Sequence, residues 1–344
     1  MAKSRARKAV VIGDGGWGTS LAILLVKNEI PTTLWSHDPA YCESMRRSGE
    51  NSAFLPGIAL PSRLAFTADP EEAVDGVDLV VSAVPMKFLR DVCSRFENLI
   101  PRAAAIVSAT KGFEVETLRR PSEILKSIFA DPAICVLSGP SHAEEVARAK
   151  VASVVAASED ASWAAFVQRS FNSDSFRVYT NTDPVGTEIA AALKNVVAIA
   201  AGICDGLELG DNAKSALLTR GVVEIARFGT ARGAKLETFF GLAGIGDLAT
   251  TCFSPHSRNR SVGEAIGRGE NLEEILGRMQ MVAEGVGTVR ALFEQREQAS
   301  AAGGPGVAMP IAEQVHAVLF EGKDPAEAVR DLMRRDPVEE MHGF

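Results

Sequence analysis

The segment that most limits what this chain can fold into is Ala9-Val10-Val11-Ile12 followed at once by Gly13-Asp14-Gly15-Gly16-Trp17-Gly18. Four consecutive apolar residues, three of them β-branched, read as a strand buried on both faces. Residues 18–28 then carry apolar side chains at helical spacing. A G-x-G-x-x-G match is weak alone but informative between a buried strand and a helix. Gly13 permits the tight turn, Gly15 lets a pyrophosphate reach the backbone, and Gly18 lets the helix close on the strand. The helix N-terminus then faces the anion. The other reading is a glycine turn in an unrelated α/β protein.

Residues 32–35, 79–84, 105–109, 134–137 and 152–157 are further strand-like runs, with helical patterns at 87–99 and 143–149 between them. Such alternation predicts a doubly wound, mostly parallel sheet of the Rossmann type. From about residue 180 the pattern becomes helical, with predicted helices at 185–202, 215–228, 261–267, 272–280, 288–298 and 311–319. The expected division is therefore an α/β nucleotide-binding domain over 1–183 and an all-α domain over 184–344, with the boundary inside 181–186. Residues 299–306 read as a small-residue loop, and the polar tail from 334 as frayed.

A chain of 344 residues with 46% apolar composition can fill two cores. Net charge is −8 with both signs dispersed and no basic run, which argues against a nucleic-acid partner. An anionic ligand must then be met by individually placed Lys and Arg. Cys42, Cys93, Cys135, Cys204 and Cys252 are scattered and form no C-x-x-C, as in a reduced, cytoplasmic protein. Cys252 and His256 stand four apart without a second pair, so no metal site is expected. Lys3, Arg5, Arg7 and Lys8 imitate a leader, but Gly13-Asp14-Gly15-Gly16 interrupts the apolar run. Lys194 and Asn195 interrupt the apolar stretch 189–204, so no membrane span is expected and the chain reads as soluble.

The second strand ends Leu34-Trp35-Ser36-His37-Asp38, where a nicotinamide enzyme usually places an acid for the ribose 2′-hydroxyl. Asp38 comes late, before Pro39. His37, Arg46 and Arg47 could instead accept a 2′-phosphate, which leans the cofactor towards NADPH, or the arginines are a solvated helix face. In the second half, Lys194 stands in Ala190-Ala191-Ala192-Leu193-Lys194-Asn195-Val196-Val197-Ala198. Burial would lower its pKa and suit it to general acid/base work, or it is a structural lysine paired with a buried acid. Asn195 adds a donor and an acceptor beside it. Asp247, in the glycine-rich loop Gly241-Leu242-Ala243-Gly244-Ile245-Gly246, could orient that lysine or cap a helix. Ser257-Arg258-Asn259-Arg260 at a helix start makes a phosphate cradle, or simply exposed basic residues. Thr110-Lys111-Gly112 and Ser138-Gly139-Pro140-Ser141 follow strand ends, the edge at which such sheets bind ligands. Lys111 would depress Lys194 further.

Taken together, the blocks GDGGWGTSLA, NSAFLPGIALP, SAVP, SATKGFE, LSGPSHAEEV, ALKNVVAIAAGICDGLELGDNAKSALLTRG, TFFGLAGIGDLATTC, SPHSRNR and VAEGVGT resemble the bacterial NAD(P)-dependent glycerol-3-phosphate dehydrogenases from residue 10 to about 331. The resemblance implies a Rossmann domain followed by a helical domain of the 6-phosphogluconate dehydrogenase-like type, in a cytoplasmic homodimer. It implies reversible reduction of dihydroxyacetone phosphate to sn-glycerol 3-phosphate, the backbone of phospholipids. On the family's pattern Lys194 moves the proton, with Lys111 and Asp247 completing the catalytic set. Lys111, Gly139, Ser141, Asp247, Ser257, Arg258 and Asn259 surround the substrate. Gly16, Trp17, His37, Lys111, Ala143, Arg258, Val282 and Glu284 touch the cofactor. Substrate is expected between the domains. Two departures stand out: Asp14 and Gly16 replace the Ala and Ser of the family's GAGSWG, adding a charge near the pyrophosphate and removing a hydroxyl. The alternative is another dehydrogenase of the same helical-domain type, but a phosphate-free substrate would leave the SRNR cradle unexplained; a cofactor-binding regulator without turnover would not need Lys194, Lys111 and Asp247.

Overall fold

The computed structural model of the chain describes residues 4–129, 132–279, 281–301, 307–337 and 339–340. It divides into two units, Met1–Thr110 with Pro121–Pro184, and Lys111–Arg120 with Val185–Phe344. The boundary near 184 lies inside the expected window, but the segment Lys111–Arg120, expected in the first domain, groups with the second unit.

The first unit is built on one sheet of eight strands: β1 (Ala9–Ile12), β2 (Thr32–Trp35), β3 (Ala65–Thr67), β4 (Leu79–Ser82), β5 (Ala105–Ser108), β6 (Ala133–Ser138), β7 (Ala152–Ala157) and β8 (Phe176–Asn181). Their order is β3-β2-β1-β4-β5-β6-β7-β8. All neighbours are parallel except β6 and β7. The order reverses beside β1, which pairs with β2 on one side and β4 on the other; this is the point where doubly wound sheets bind ligands. Helices α1 (Gly16–Lys27), α2 (Pro39–Ser48), α3 (Pro70–Val74), α4 (Leu89–Ser94), α5 (Pro121–Ile128), α6 (Ala143–Ala147) and α7 (Ala161–Phe171) connect the strands. Val11, Leu34, Val81 and Val107 point into a core with Leu21, Leu25 and Phe166. Val10, Ile12, Trp35, Val80 and Ile106 point the other way, onto Leu89, Cys93, Ile124 and Leu125. Burial on both faces explains why these strands read as unbroken apolar runs.

β3 and β8 were not anticipated. β3 is three residues long, and β8 alternates, with Phe176 and Val178 buried and Arg177 and Tyr179 exposed, in the manner of a strand with one wet face. The helix expected over 87–99 is shorter, a single turn at Met86–Phe88 followed by α4.

The described elements of the second unit are helical: α8 (Pro184–Gly206), α9 (Gly210–Thr230), α10 (Asp247–Phe253), α11 (Arg258–Gly267), α12 (Leu272–Arg278), α13 (Glu284–Ala301), α14 (Pro310–Phe320) and α15 (Pro325–Met333). The predicted helices all appear, mostly longer than expected. The glycine-rich stretch before Asp247 is a helical turn, Leu242–Gly246, and not an open loop. Of the expected loop 299–306, residues 299–301 end α13 and the rest lie outside the described residues. α8 is longer than the expected 185–202 and is long and apolar enough to cross a membrane by length and composition. However, 89% of its apolar window is buried inside the protein, so it is a core helix. α8 and α11 touch backbone to backbone. A Cβ on Gly202 would stand 1.9 Å from Arg260 O, and one on Gly263 would stand 1.9 Å from Ile199 O. Phe113 brings the segment Lys111–Arg120 into the helical core, 6.2 Å from the Phe228 ring. Arg120 Nη1 bonds the Glu188 carboxylate on α8 at 2.8 Å.

One buried acid fastens two helices. Glu224 on α9 accepts from Ile311 N at 2.8 Å and Ala312 N at 2.9 Å, and so caps α14, whose N-cap Met309 supplies no side-chain acceptor. Burial lifts its carboxyl to about 7, against the pull of those two N–H groups. Glu224→Ala strands both donors out of water and should lower unfolding stability by about 2–3 kcal/mol, measured by urea denaturation. A loss below about 0.5 kcal/mol would show that the cap is dispensable.

Candidate functional site

In the first unit, the turn after β1 has the shape a dinucleotide needs. Gly13 has φ +110°, and its N–H donates to Trp35 O at the end of β2. A Cβ on Gly18 would stand 2.0 Å from Gly13 O, so α1 closes on the turn only with glycine there. Gly15, the N-cap of α1, offers no side-chain acceptor to the first turn, and a Cβ built on it meets nothing within 4 Å. An uncapped helix N-terminus beside open space fits a pyrophosphate. Gly16 is explained differently from the expectation. A Cβ there would stand 2.6 Å from Phe54 O, so the backbone of Phe54 takes the room that the serine of the GAGSWG pattern would need. Asn51, fully buried and not singled out from the sequence, pins this turn by donating to Asp14 O and Thr19 Oγ1 at 2.7 Å each. Ser20 ties α1 to α6 by donating to Gly16 O and Ala143 O. Trp17 is half-buried in the first turn of α1.

The residues around the end of β2 fall out unevenly. His37 is exposed. Asp38 caps α2, accepting from Ala40 N at 2.8 Å. Arg46 bonds Glu43 and Phe66 O, both at 2.6 Å, and Arg47 lies 3.8 Å from Glu43. Both arginines belong to the last turn of α2. Asp14 does not face a pyrophosphate with its carboxylate; Oδ2 accepts from the Ser36 hydroxyl at 2.6 Å. Gly139, with φ +142°, follows β6, and a Cβ on it would stand 2.9 Å from Val154 Cα. Ser141 donates to Gly139 O at 2.9 Å.

The second unit brings together three charges that lie far apart in sequence. Lys194 Nζ on α8 donates to Asp247 Oδ1 at 2.7 Å and to Thr251 Oγ1 at 2.6 Å. Lys111 Nζ donates to the other carboxylate oxygen, Oδ2, at 2.7 Å. Thr251, one helical turn beyond Asp247, gives its own proton to Asp247 O and so must accept from Lys194. Sequence reasoning missed Thr251; its place at i+4 from Asp247 was the available signal. Lys194 has a third N–H with no partner among the described residues. Burial lowers the Lys194 ammonium, Asp247 pulls it back up, and Lys111 lowers it again, leaving it at about 8 against an ordinary 10.5. Burial alone would raise the Asp247 carboxyl, but the two ammonium groups outweigh it and hold it below its ordinary value. An amine near 8 with one undirected N–H can give up and regain a proton at neutral pH.

Ser257, Arg258 and Asn259 begin α11. Ser257 caps it, accepting from Arg260 N at 3.2 Å. Arg258 is exposed and uses one nitrogen on Val282 O at 3.0 Å, leaving the rest of the fork without a partner among the described residues. Asn259 Oδ1 accepts from Gly285 N, next to Glu284, at 2.9 Å. Arg260 is not available to an anion in the same way: Asp205 holds its Nε at 2.6 Å, and Lys214 shares that carboxylate. Asn195 turns its amide back to Ala191 O on its own helix. Cys252 is buried, its thiol pushed up to about 12, and His256 is exposed.

Two family models cover most of the chain. The one described as NAD-dependent glycerol-3-phosphate dehydrogenase N-terminus matches residues 8–164, and the corresponding C-terminus matches 183–330. A glycerol-3-phosphate dehydrogenase (NAD(P)+) of Citrifermentans bemidjiense is 48% identical over 334 residues, 96% of this chain and 98% of that protein. One from Thermus thermophilus is 47% identical over 97% of this chain and 100% of its own. Among solved structures, glycerol-3-phosphate dehydrogenase from Coxiella burnetii superposes with a TM-score of 0.90 at 34% identity, covering 96% of this chain and 99% of that one.

The charge balance at Lys194 can be tested directly. Asp247→Asn removes the opposing charge while burial and Lys111 remain, so the Lys194 pKa should fall below about 8. The 13Cε shift of isotope-labelled lysine, followed against pH, reads it. An unchanged or higher value would mean that Asp247 does not hold the charge on Lys194.

Proposed function

We propose, for a chain that belongs to the NAD-dependent glycerol-3-phosphate dehydrogenase family, that Lys194, Asp247 and Lys111 form the proton-transfer centre for reversible reduction of dihydroxyacetone phosphate to sn-glycerol 3-phosphate. The observation that carries this reading is the buried Lys194 ammonium with two N–H groups fixed on Asp247 and Thr251 and the third undirected. A bound nicotinamide dinucleotide supplies the hydride. As the carbonyl oxygen becomes an alkoxide, Lys194 gives it the third proton; in the reverse direction the amine takes it back. Asp247 fixes the amine and keeps it charged at rest. Lys111 offsets part of the Asp247 charge, so that Lys194 does not hold its proton too tightly. Ser257, Arg258 and Asn259 bind the phosphate, with the Arg258 fork making paired charge-assisted bonds. Gly139 and Ser141 also belong to the substrate set.

The first unit holds the dinucleotide. Gly13, Gly15, Gly16, Trp17 and Gly18 at the α1 N-terminus, with Ala143, would hold its pyrophosphate. Lys111, Arg258, Val282 and Glu284 complete the expected cofactor set. Of the three side chains that could favour a 2′-phosphate, His37 is exposed, whereas Arg46 bonds Glu43 and Phe66 O and Arg47 lies near Glu43. The enzyme works in the cytoplasm, where five buried free thiols persist, and its product supplies phospholipid synthesis. It acts as a homodimer; light scattering that returned a mass near 36.5 kDa at working concentration would exclude this.

The reaction is tested by following NADH and NADPH oxidation with dihydroxyacetone phosphate and with unphosphorylated dihydroxyacetone. Lys194→Ala should lower kcat by about 10²–10⁴-fold while dinucleotide binding persists. Arg258→Ala should lower kcat/KM for the phosphorylated ketone by about ten- to a hundredfold and leave the unphosphorylated one nearly unchanged. A kcat within a few-fold of wild type in the first variant, or unaltered discrimination in the second, removes the corresponding role.

A further inference from the structure

The glycine turn carries a charge that the dinucleotide reading does not use. The Asp14 residue is 6% exposed. Its carbonyl is held by Asn51 Nδ2 at 2.7 Å and Thr19 Oγ1 at 3.2 Å, so the residue is fixed in place. Its carboxylate is turned to the end of β2, where Oδ2 accepts from the Ser36 hydroxyl at 2.6 Å. The other oxygen, Oδ1, has no hydrogen-bond partner among the described residues. Oδ1 is not one of the buried polar atoms left without a partner, so this oxygen of an otherwise buried residue stays open to solvent and to a ligand.

The position suggests one. In doubly wound units the acid that bonds the adenosine ribose comes from the end of the second strand. Here the residue directly after β2 is Ser36, a hydroxyl, and the next acid, Asp38, is committed to capping α2. Asp14 brings a carboxylate to that same place from the turn after β1. The sheet register brings the two turns together: Ile12 lies opposite Trp35, so the chain leaves β1 and β2 at neighbouring points, and the Ser36 hydroxyl reaches the Asp14 carboxylate. We propose that Asp14, oriented by Ser36, is the ribose-reading acid of this chain and sets its cofactor selectivity. Its free oxygen accepts from the 2′-hydroxyl of NADH, and its charge opposes the 2′-phosphate of NADPH. This rests on the reading of the first unit as the dinucleotide site. It also gives Asp14 a function that the family's usual alanine cannot have. His37 acts in the opposite sense, and NADH is the better-bound cofactor because the Asp14 residue is buried and the imidazole is exposed.

Dissociation constants of NADH, NADPH and 2′-deoxy-NADH, measured by fluorescence titration on wild type, Asp14→Asn and Asp14→Ala, test the assignment without turnover. Wild type should bind NADH at least about tenfold more tightly than 2′-deoxy-NADH. Asp14→Ala should bind those two alike, and its NADPH-to-NADH ratio should move at least about tenfold towards NADPH. Asp14→Asn, which removes the charge but keeps an acceptor, should gain affinity for NADPH with NADH little changed. If all three ligands weaken equally in Asp14→Ala, the residue only braces the turn and the proposal fails; it fails also if the ratio does not move. If that variant does not fold, Ser36→Ala should loosen the same discrimination, and an unchanged ratio there counts against the proposal. Failure of wild type to bind either cofactor would overturn the dinucleotide reading, and the proposal with it; normal binding with an unmoved ratio overturns the proposal alone.

Discussion

The second unit is arranged around a single carboxylate shared by two ammonium groups. Asp247 gives one oxygen to Lys194 and the other to Lys111. Lys194 and Asp247 are both buried, and neither would be stable there as a charged group without the other. Two positive groups on one negative group leave a net positive site. Such a site suits an anion, and repulsion from Lys111 weakens the hold of Lys194 on its proton. The electrostatic cost of burial is thus met by the atoms of the same three groups.

Holding those atoms requires rigid support. α8 carries Lys194, and α11 opens with Ser257, Arg258 and Asn259. Gly202 and Gly263 let the two helices meet without intervening side chains, which fixes their spacing by backbone contact and not by adaptable rotamers. Asp205 strengthens the same junction by taking hydrogen bonds from Lys214 on α9 and Arg260 on α11. The result places Lys194 and the residues that open α11 on elements that cannot easily drift apart.

Much of this could be read from the chain. The run from Ala9 to Gly18 dictated strand, turn and helix because only glycine satisfies the contacts at positions 13 and 18. A lysine inside an alanine-rich helix pointed to Lys194 because burying a charge without purpose is costly. Other features were hidden for physical reasons. β8 alternates because one face is wet, and β3 is too short to show any period. Thr251 looks like an ordinary helical threonine until its hydroxyl is seen to be committed to Asp247 O. Arg46 and Arg47 had suitable charge, but sequence spacing says nothing of Glu43 and Phe66 O taking up their environment. Gly16 looked like a lost hydroxyl, whereas the space it would need belongs to the backbone of Phe54.

The excursion Lys111–Arg120 has a consequence for how the molecule can be made and divided. Its flanks, Thr110 and Pro121, belong to the first unit, yet Phe113 sits in the helical core and Arg120 bonds Glu188. A ribosome delivers this strip before any of α8 exists, so an apolar ring and a basic arm await partners that have yet to be translated. The second unit is therefore not a contiguous stretch of gene. A cut at residue 184 parts Asp247 from one of its two lysines, and recombination between relatives at that junction would join a Lys111 selected against one set of helices to an Asp247 selected in another.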